Sequence, residues 1–171
     1  HLFEKNQMDV AVLGNYLNLA HPDPEVIRVS LEKYYAHIRF ASLLGCGMVG
    51  TETGAPNPEY KYCPECRTDA ALSAFRRART VLDEIGSRNL QILFDPVNML
   101  DLDNVDCREE VFAEAMELLG PDIAMVHLKD FIRVPQGHGL KAVGAGTGEM
   151  DYTSVMKFIK QQKPFLYCTL E

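Results

Sequence analysis

Apolar and polar positions change period repeatedly along the chain, and each change predicts an element. Val10 to Tyr16 reads as an extended stretch. From there the period lengthens: Leu31, Tyr34, Tyr35, Ile38, Ala41 and Leu44 recur at spacings of three and four, which predicts a helix with one inward face, starting near Pro24 and ending at Gly45. Gly47 to Glu52 predicts a second strand. Thr68 to Ile85 predicts a helix with Leu72, Phe75, Leu82 and Ile85 on a common face and Gly86-Ser87 as its stop. Leu90 to Asp95 is a short apolar run, Arg108 to Leu119 is amphipathic, and Ile123 to Lys129 is a further strand. Asp151 is a good N-cap for a helix closed by Lys163-Pro164, and Phe165 to Glu171 is the last strand. Two long connections stand out: Thr53 to Arg67, rich in Pro, Asn and Gly, and a Gly-rich loop from Arg133 to Gly148.

Five strands alternating with four helices is the order of a parallel α/β sheet. Apolar runs of this kind suit strands buried on both faces. A closed (β/α)8 barrel has eight strands and typically about 250 residues, whereas this chain has 171. Five strands therefore mean either an open sheet or a barrel incompletely represented in these residues. One domain is the simplest expectation for residues 1–171.

Composition narrows the function. With 47% hydrophobic residues the chain can bury a sizeable core, and its net charge of −7 argues against a broad phosphate-binding surface, so no nucleic-acid partner is expected. No apolar run approaches the roughly 18 residues needed to span a bilayer, and the first residues lack the pattern of a signal peptide. A soluble, cytoplasmic protein with no membrane partner is expected, provided the natural N-terminus is not missing. The five cysteines are odd in number, and Cys46, Cys107 and Cys168 are scattered, so reduced thiols are the default. Cys63-Pro-Glu-Cys66 has the spacing of a zinc clip or redox pair, but a structural zinc normally takes a second pair, and there is none; incidental loop cysteines are the better reading.

Candidate chemistry gathers at three strand ends. Asp95, His127 and Glu171 each close an apolar run, and in parallel α/β folds the carboxyl ends of the strands form the ligand-binding edge. An imidazole beside carboxylates is a common ligand set for manganese, cobalt, zinc or iron. Each residue also has a plainer reading. Asp95, followed by Pro96, could cap the next turn; His127 could simply be hydrogen-bonded; Glu171 could be a solvated chain end. Strand alternation puts His127 and Lys129 on one face and Val126, Leu128 and Asp130 on the other. Glu52 closes another strand and is a candidate for substrate contact, as is His21 after the first strand, where capping a turn is equally open. Gly144-Ala-Gly-Thr-Gly148 lacks the G-x-G-x-x-G spacing of a dinucleotide loop, so its glycines are read as letting a loop fold over the site. His138 on that loop is read as solvent-exposed.

At Asp95-Pro-Val-Asn98, His127-Leu-Lys-Asp130, Gly144-Ala-Gly-Thr-Gly-Glu-Met-Asp-Tyr152 and Leu170-Glu171, the chain resembles the xylose isomerase-like TIM-barrel superfamily, specifically its sugar phosphate isomerase/epimerase branch. Ala41-Ser-Leu-Leu-Gly45 and Val49-Gly-Thr-Glu-Thr-Gly54 also match it. The resemblance covers nearly the whole chain and is specific for the superfamily, not for one substrate. It implies a divalent ion, most often manganese, with magnesium, cobalt, zinc or iron as alternatives, held by Glu, Asp, His and Glu from successive strands. Asp95, His127 and Glu171 match the last three, and Asn98 and Lys129 join Glu52 and His21 as implied substrate-binding residues. The first family glutamate has no match here. Its absence implies that the helix of Thr68 to Ile85 joins the start of one helix to the end of another near Phe75 to Thr80, with a strand missing between them and a first strand also lacking. The implied activity is sugar or polyol isomerisation or epimerisation: a base removes a proton next to a carbonyl to give an enediolate, with Glu171 as ligand and acid/base. Dehydratases, hydroxypyruvate isomerases and a non-catalytic sugar-binding protein are the alternatives on this fold. An abasic-site endonuclease, which needs more His and Glu ligands and a basic groove, ranks low. Homo-oligomerisation is left open.

Overall fold

The computed structural model describes residues 2–51, 71–134 and 139–170, apart from the side chains of 71–74 and 77. The chain falls into two compact units, His1–Thr68 and Asp69–Glu171.

In the first unit a short helix α1 (Leu2–Lys5) precedes β1 (Leu13–Gly14), α2 (Pro24–Leu43) and β2 (Val49–Gly50). β1 and β2 pair in parallel, Leu13 with Val49 and Gly14 with Gly50, so only two residues of each expected strand are laddered. α2 begins where the sequence places it, because Pro24 has its φ preset for a first turn and Asp23 accepts the Glu25 N–H at 2.9 Å. It ends at Gly45, whose φ of +71° lets the Cys46 N–H return to the Ala41 carbonyl at 2.9 Å and the Gly45 N–H to Ser42 at 3.2 Å. The inward face is narrower than expected. Ala41 and Ser30 are buried and Tyr34 donates to the Val49 carbonyl at 3.1 Å, but Leu31, Tyr35 and Ile38 are exposed. A pair of two-residue strands covers less than the full apolar stripe of a 20-residue helix.

The second unit contains α3 (Ala71–Ile85), β3 (Ile92–Phe94), α4 (Arg108–Leu119), β4 (Ile123–Leu128), β5 (Asp130–Arg133), β6 (Leu140–Val143), α5 (Thr153–Gln162) and β7 (Tyr167–Leu170). Its sheet is parallel with order β3-β4-β7. The core joins Phe94 and Val126 from the sheet to Phe75 and Leu82 of α3, Phe112 and Ala115 of α4, and Val155 and Phe158 of α5. Fully burying a side chain of this size contributes roughly 1.5–3 kcal/mol. Ile85, expected on the inward face of α3, is exposed, and the Leu72 side chain lies outside the described residues. α3 runs unbroken through 75–80, where a join of two helices is expected. A helix spliced from two halves would also be continuous, because its hydrogen bonds are local.

The expected loop from Arg133 to Gly148 is in part a hairpin. β5 and β6 pair antiparallel, Asp130 with Val143 through Arg133 with Leu140. The ladder forms because Phe131 is driven fully into the core, which draws the adjoining residues into extended backbone. Among the described residues the strands make two parallel sheets and this hairpin, and no closed barrel.

Candidate active site

The chemistry lies at the carboxyl edge of β3 and β4. After Phe94 the chain must leave the sheet, since Pro96 has no N–H to continue a ladder, and it enters a 3-10 turn over Val97–Met99. Asp95 stands at that exit, 4% exposed. Its two oxygens divide the work: Oδ1 accepts the Asn98 backbone N–H at 3.1 Å, which caps the turn, while Oδ2 points to His127 of β4 and to Lys129 just past it. The turn-capping reading of Asp95 holds for Oδ1, while Oδ2 faces His127 and Lys129.

Oδ2 lies 2.9 Å from the Lys129 ammonium and 3.7 Å from His127 Nδ1. His127 and Lys129 converge on one oxygen because they share a face of the strand, as alternation requires. Oδ2 is shut off from solvent and makes no aligned hydrogen bond, so the Lys129 contact is an ion pair rather than a directed bond. A buried carboxylate costs several kcal/mol unless its charge is met. Here the nearly buried ammonium meets it.

The spacing of Asp95 and His127, though not their number, matches two ligands of a divalent cation. A carboxylate oxygen and a ring nitrogen on one first-row ion each sit about 2.0–2.2 Å from it, so they are at most about 4.4 Å apart, and the 3.7 Å between Oδ2 and Nδ1 lies within that span. Among the described residues no group of three or more His, Cys, Asp or Glu side chains converges, so Asp95 and His127 form a pair. Glu171, Glu52, the cysteines of Cys63-Pro-Glu-Cys66 and His138 lie outside the described residues.

The other candidates are placed differently. His21 Nδ1 accepts the Asp23 N–H at 3.0 Å, the turn-capping role. Asn98 reaches the site through its backbone, by the bond to Asp95. Two surface hollows run along α5 and between α4 and α5, and none of Asp95, His127 and Lys129 lines them.

Three contributors were not legible as site residues. Thr169 pairs with His127 in the sheet register, so the two side chains share a face, and its Oγ1 is buried without a hydrogen-bond partner. Asp130 is 1% exposed and accepts the backbone N–H groups of Phe131, Gly148 and Met150, each at 2.8 Å. Burial works against its ionised form, but the N–H groups of Met150, Gly148, Phe131 and Gly146 together hold its carboxyl below the ordinary value. Tyr152 donates its hydroxyl to the Lys129 carbonyl. Burial, then the charges of Asp130 and Asp95, push the Tyr152 phenol up to about 12, so it stays protonated. The signals for this group were the family motifs that contain Asp130 and Tyr152 and the run of glycines ending at Gly148, where a Cβ would lie 2.2 Å from the Phe131 carbonyl oxygen. Only glycine fits.

The chain belongs to the xylose isomerase-like TIM-barrel family, whose model matches residues 71–171. Over the fold it is similar to a xylose isomerase domain protein from Planctomyces limnophilus, with a TM-score of 0.69 and 16% identity over 98% of this chain and 71% of that one. It is also similar to the probable 3-DHS dehydratase AsbF of Bacillus anthracis, described as involved in petrobactin synthesis, with a TM-score of 0.53 and 13% identity over 98% of this chain and 72% of that one. At such identities the likeness is one of fold. Comparison with the curated proteins gives no match. No helix among the described residues is long and apolar enough to cross a membrane.

Proposed function

We propose that this chain is a divalent-metal-dependent isomerase or epimerase of a small sugar or polyol, acting by proton abstraction next to a carbonyl. The observation that carries the reading is Asp95 and His127 at the exits of neighbouring parallel strands, 3.7 Å apart, with the carboxylate oxygen buried and lacking an aligned hydrogen bond. Asp95 and His127 would hold the metal, with Glu171 as the third protein ligand that the family resemblance assigns. When bound, a cation of this kind polarises substrate oxygens and stabilises developing negative charge; manganese is the first choice, with magnesium, cobalt, zinc and iron as alternatives.

The chain's own residues supply the rest. Glu171 would take the proton next to the carbonyl and return it, and the fixed Lys129 ammonium would stabilise the negative charge that gathers on the substrate oxygen as the enediolate forms. Asn98 would keep Asp95 in place, while Glu52 and His21 remain candidates for substrate hydroxyls. The unmatched first family glutamate belongs to the same proposal, on a strand that the family carries between the two halves of α3. A cytoplasmic location and no nucleic-acid or membrane partner complete the reading, with homo-oligomerisation left open.

A dehydratase shares the first step, removal of a proton next to a carbonyl, and differs only in losing a β-hydroxyl afterwards. The structural likeness to a probable dehydratase keeps that second reading in view. The test is manganese binding by calorimetry, followed by a screen of ketoses, inososes and hydroxypyruvate for exchange of substrate hydrogen with solvent deuterium. Exchange with isomer formation supports the proposal, and exchange with loss of water selects the dehydratase. Metal bound without exchange on any polyol favours a sugar-binding protein. Glu171→Gln should abolish exchange while leaving the fold intact; an unchanged rate would refute the role of Glu171.

A further inference from the structure

We propose that Tyr152 and Asp130 are positioning residues for Lys129, clamping the strand exit so that the Lys129 ammonium is held on the Asp95 carboxylate. Lys129 is the single residue between β4, which pairs in parallel, and β5, which pairs antiparallel, so the ladders on either side leave its backbone at a change of partner. A lysine side chain has four rotatable methylene links and about 2 kcal/mol of rotamer entropy. Holding its far end on one oxygen requires its Cα to be fixed.

Two groups fix it. On the carbonyl side, the Tyr152 hydroxyl donates to the Lys129 oxygen. On the following residue, the Asp130 carboxylate takes three backbone N–H groups, those of Phe131, Gly148 and Met150, each at 2.8 Å. Two of these donors lie just before Tyr152 in the chain, so Asp130 also places the tyrosine. The Glu149 N–H adds a 2.8 Å bond to the Phe131 carbonyl. The turn approaches so closely that Gly148 has no room for a Cβ against that same carbonyl. The outcome is a lysine tied at its backbone by Tyr152 and at its tip by Asp95, 2.9 Å from Nζ. The use of this fixed cation on a substrate oxygen rests on the function proposed above; the clamp itself does not.

The test is trace acetylation of the amines in the full chain, read by peptide mass spectrometry as the rate of Lys129 relative to Lys163. Lys163 is the internal reference because its Nζ bonds the Pro121 carbonyl at 2.6 Å, just past the C-terminus of α5. Tyr152→Phe removes one oxygen and should raise the ratio about two- to tenfold, the weight of one hydrogen bond. Asp130→Asn should raise it in the same direction. An unchanged ratio would overturn the clamp, and so would an equal rise at both lysines, which would show general loosening. Once a substrate is known, Tyr152→Phe should lower kcat more than it changes KM. If the parent chain turns nothing over, the function fails while the labelling ratio still decides the clamp.

Discussion

β4 and β7 lie side by side in one parallel sheet, in register from Met125 with Tyr167 to Leu128 with Leu170, yet they meet opposite fates. In β4, Ile123, Met125 and Val126 are buried and no residue is exposed. In β7, Tyr167, Cys168 and Leu170 are exposed, and only Thr169 is sheltered. Their sequences are similarly apolar; what differs is the flank. Among the described residues β4 is paired on both sides and β7 on one. With neighbours on both sides, β4 buries most of its apolar residues and leaves even His127 only partly exposed. β7, with one neighbour among the described residues, leaves Leu170 exposed.

The comparison can be broken by substitution. Phe131→Ala, which empties a fully buried site just past β4, should lower unfolding free energy by about 3–5 kcal/mol in urea denaturation. Gly148→Ala forces a Cβ onto the Phe131 carbonyl and should cost about 1–3 kcal/mol, as overpacking does. Asp130→Asn should cost about 1–3 kcal/mol at neutral pH, because a buried N–H loses its acceptor. That variant also carries a pH signature. Asp130 holds its proton less readily in the folded chain than at its ordinary value of 3.8, so its contribution is fully present well above that value and is lost as pH falls through it toward the folded-state value. Stability measured from pH 6 down to pH 2 should therefore fall less steeply in Asp130→Asn than in the parent. Leu170→Ala on β7 should change stability by no more than about 0.5 kcal/mol. Equal costs at Phe131 and Leu170 would dissolve the contrast between the buried segment that follows β4 and the exposed β7.

Much of the second unit was readable from local pattern. Arg108–Leu119 is helical over the residues its amphipathic spacing predicts, and Gly45 and Pro24 bound α2 because left-handed φ and a preset φ are properties of those residues alone. The shared face of His127 and Lys129 followed from strand period. The hairpin was not readable: its Gly-rich, polar connection gives a loop signal, and the ladder depends on Phe131 finding the core. The role of Asp130 was hidden for the same reason, since three of the four backbone groups that hold it come from 16 or more positions further along. The exposure of Leu31, Tyr35 and Ile38 shows the converse. Periodicity names the apolar face of a helix and not how much of it is covered.

What the sequence by itself determined is the alternation of the longer helices with parallel strands, the place of Asp95 and His127 at the ends of β3 and β4, and the family to which the chain belongs. Those depend on local propensity and on chemistry carried residue by residue. Only the tertiary structure decided that one oxygen of Asp95 caps a turn while the other meets His127 and Lys129, and that a distant glycine turn and Tyr152 fix the lysine. Such contacts join residues tens of positions apart, and nothing short of the packed chain specifies which buried polar groups meet.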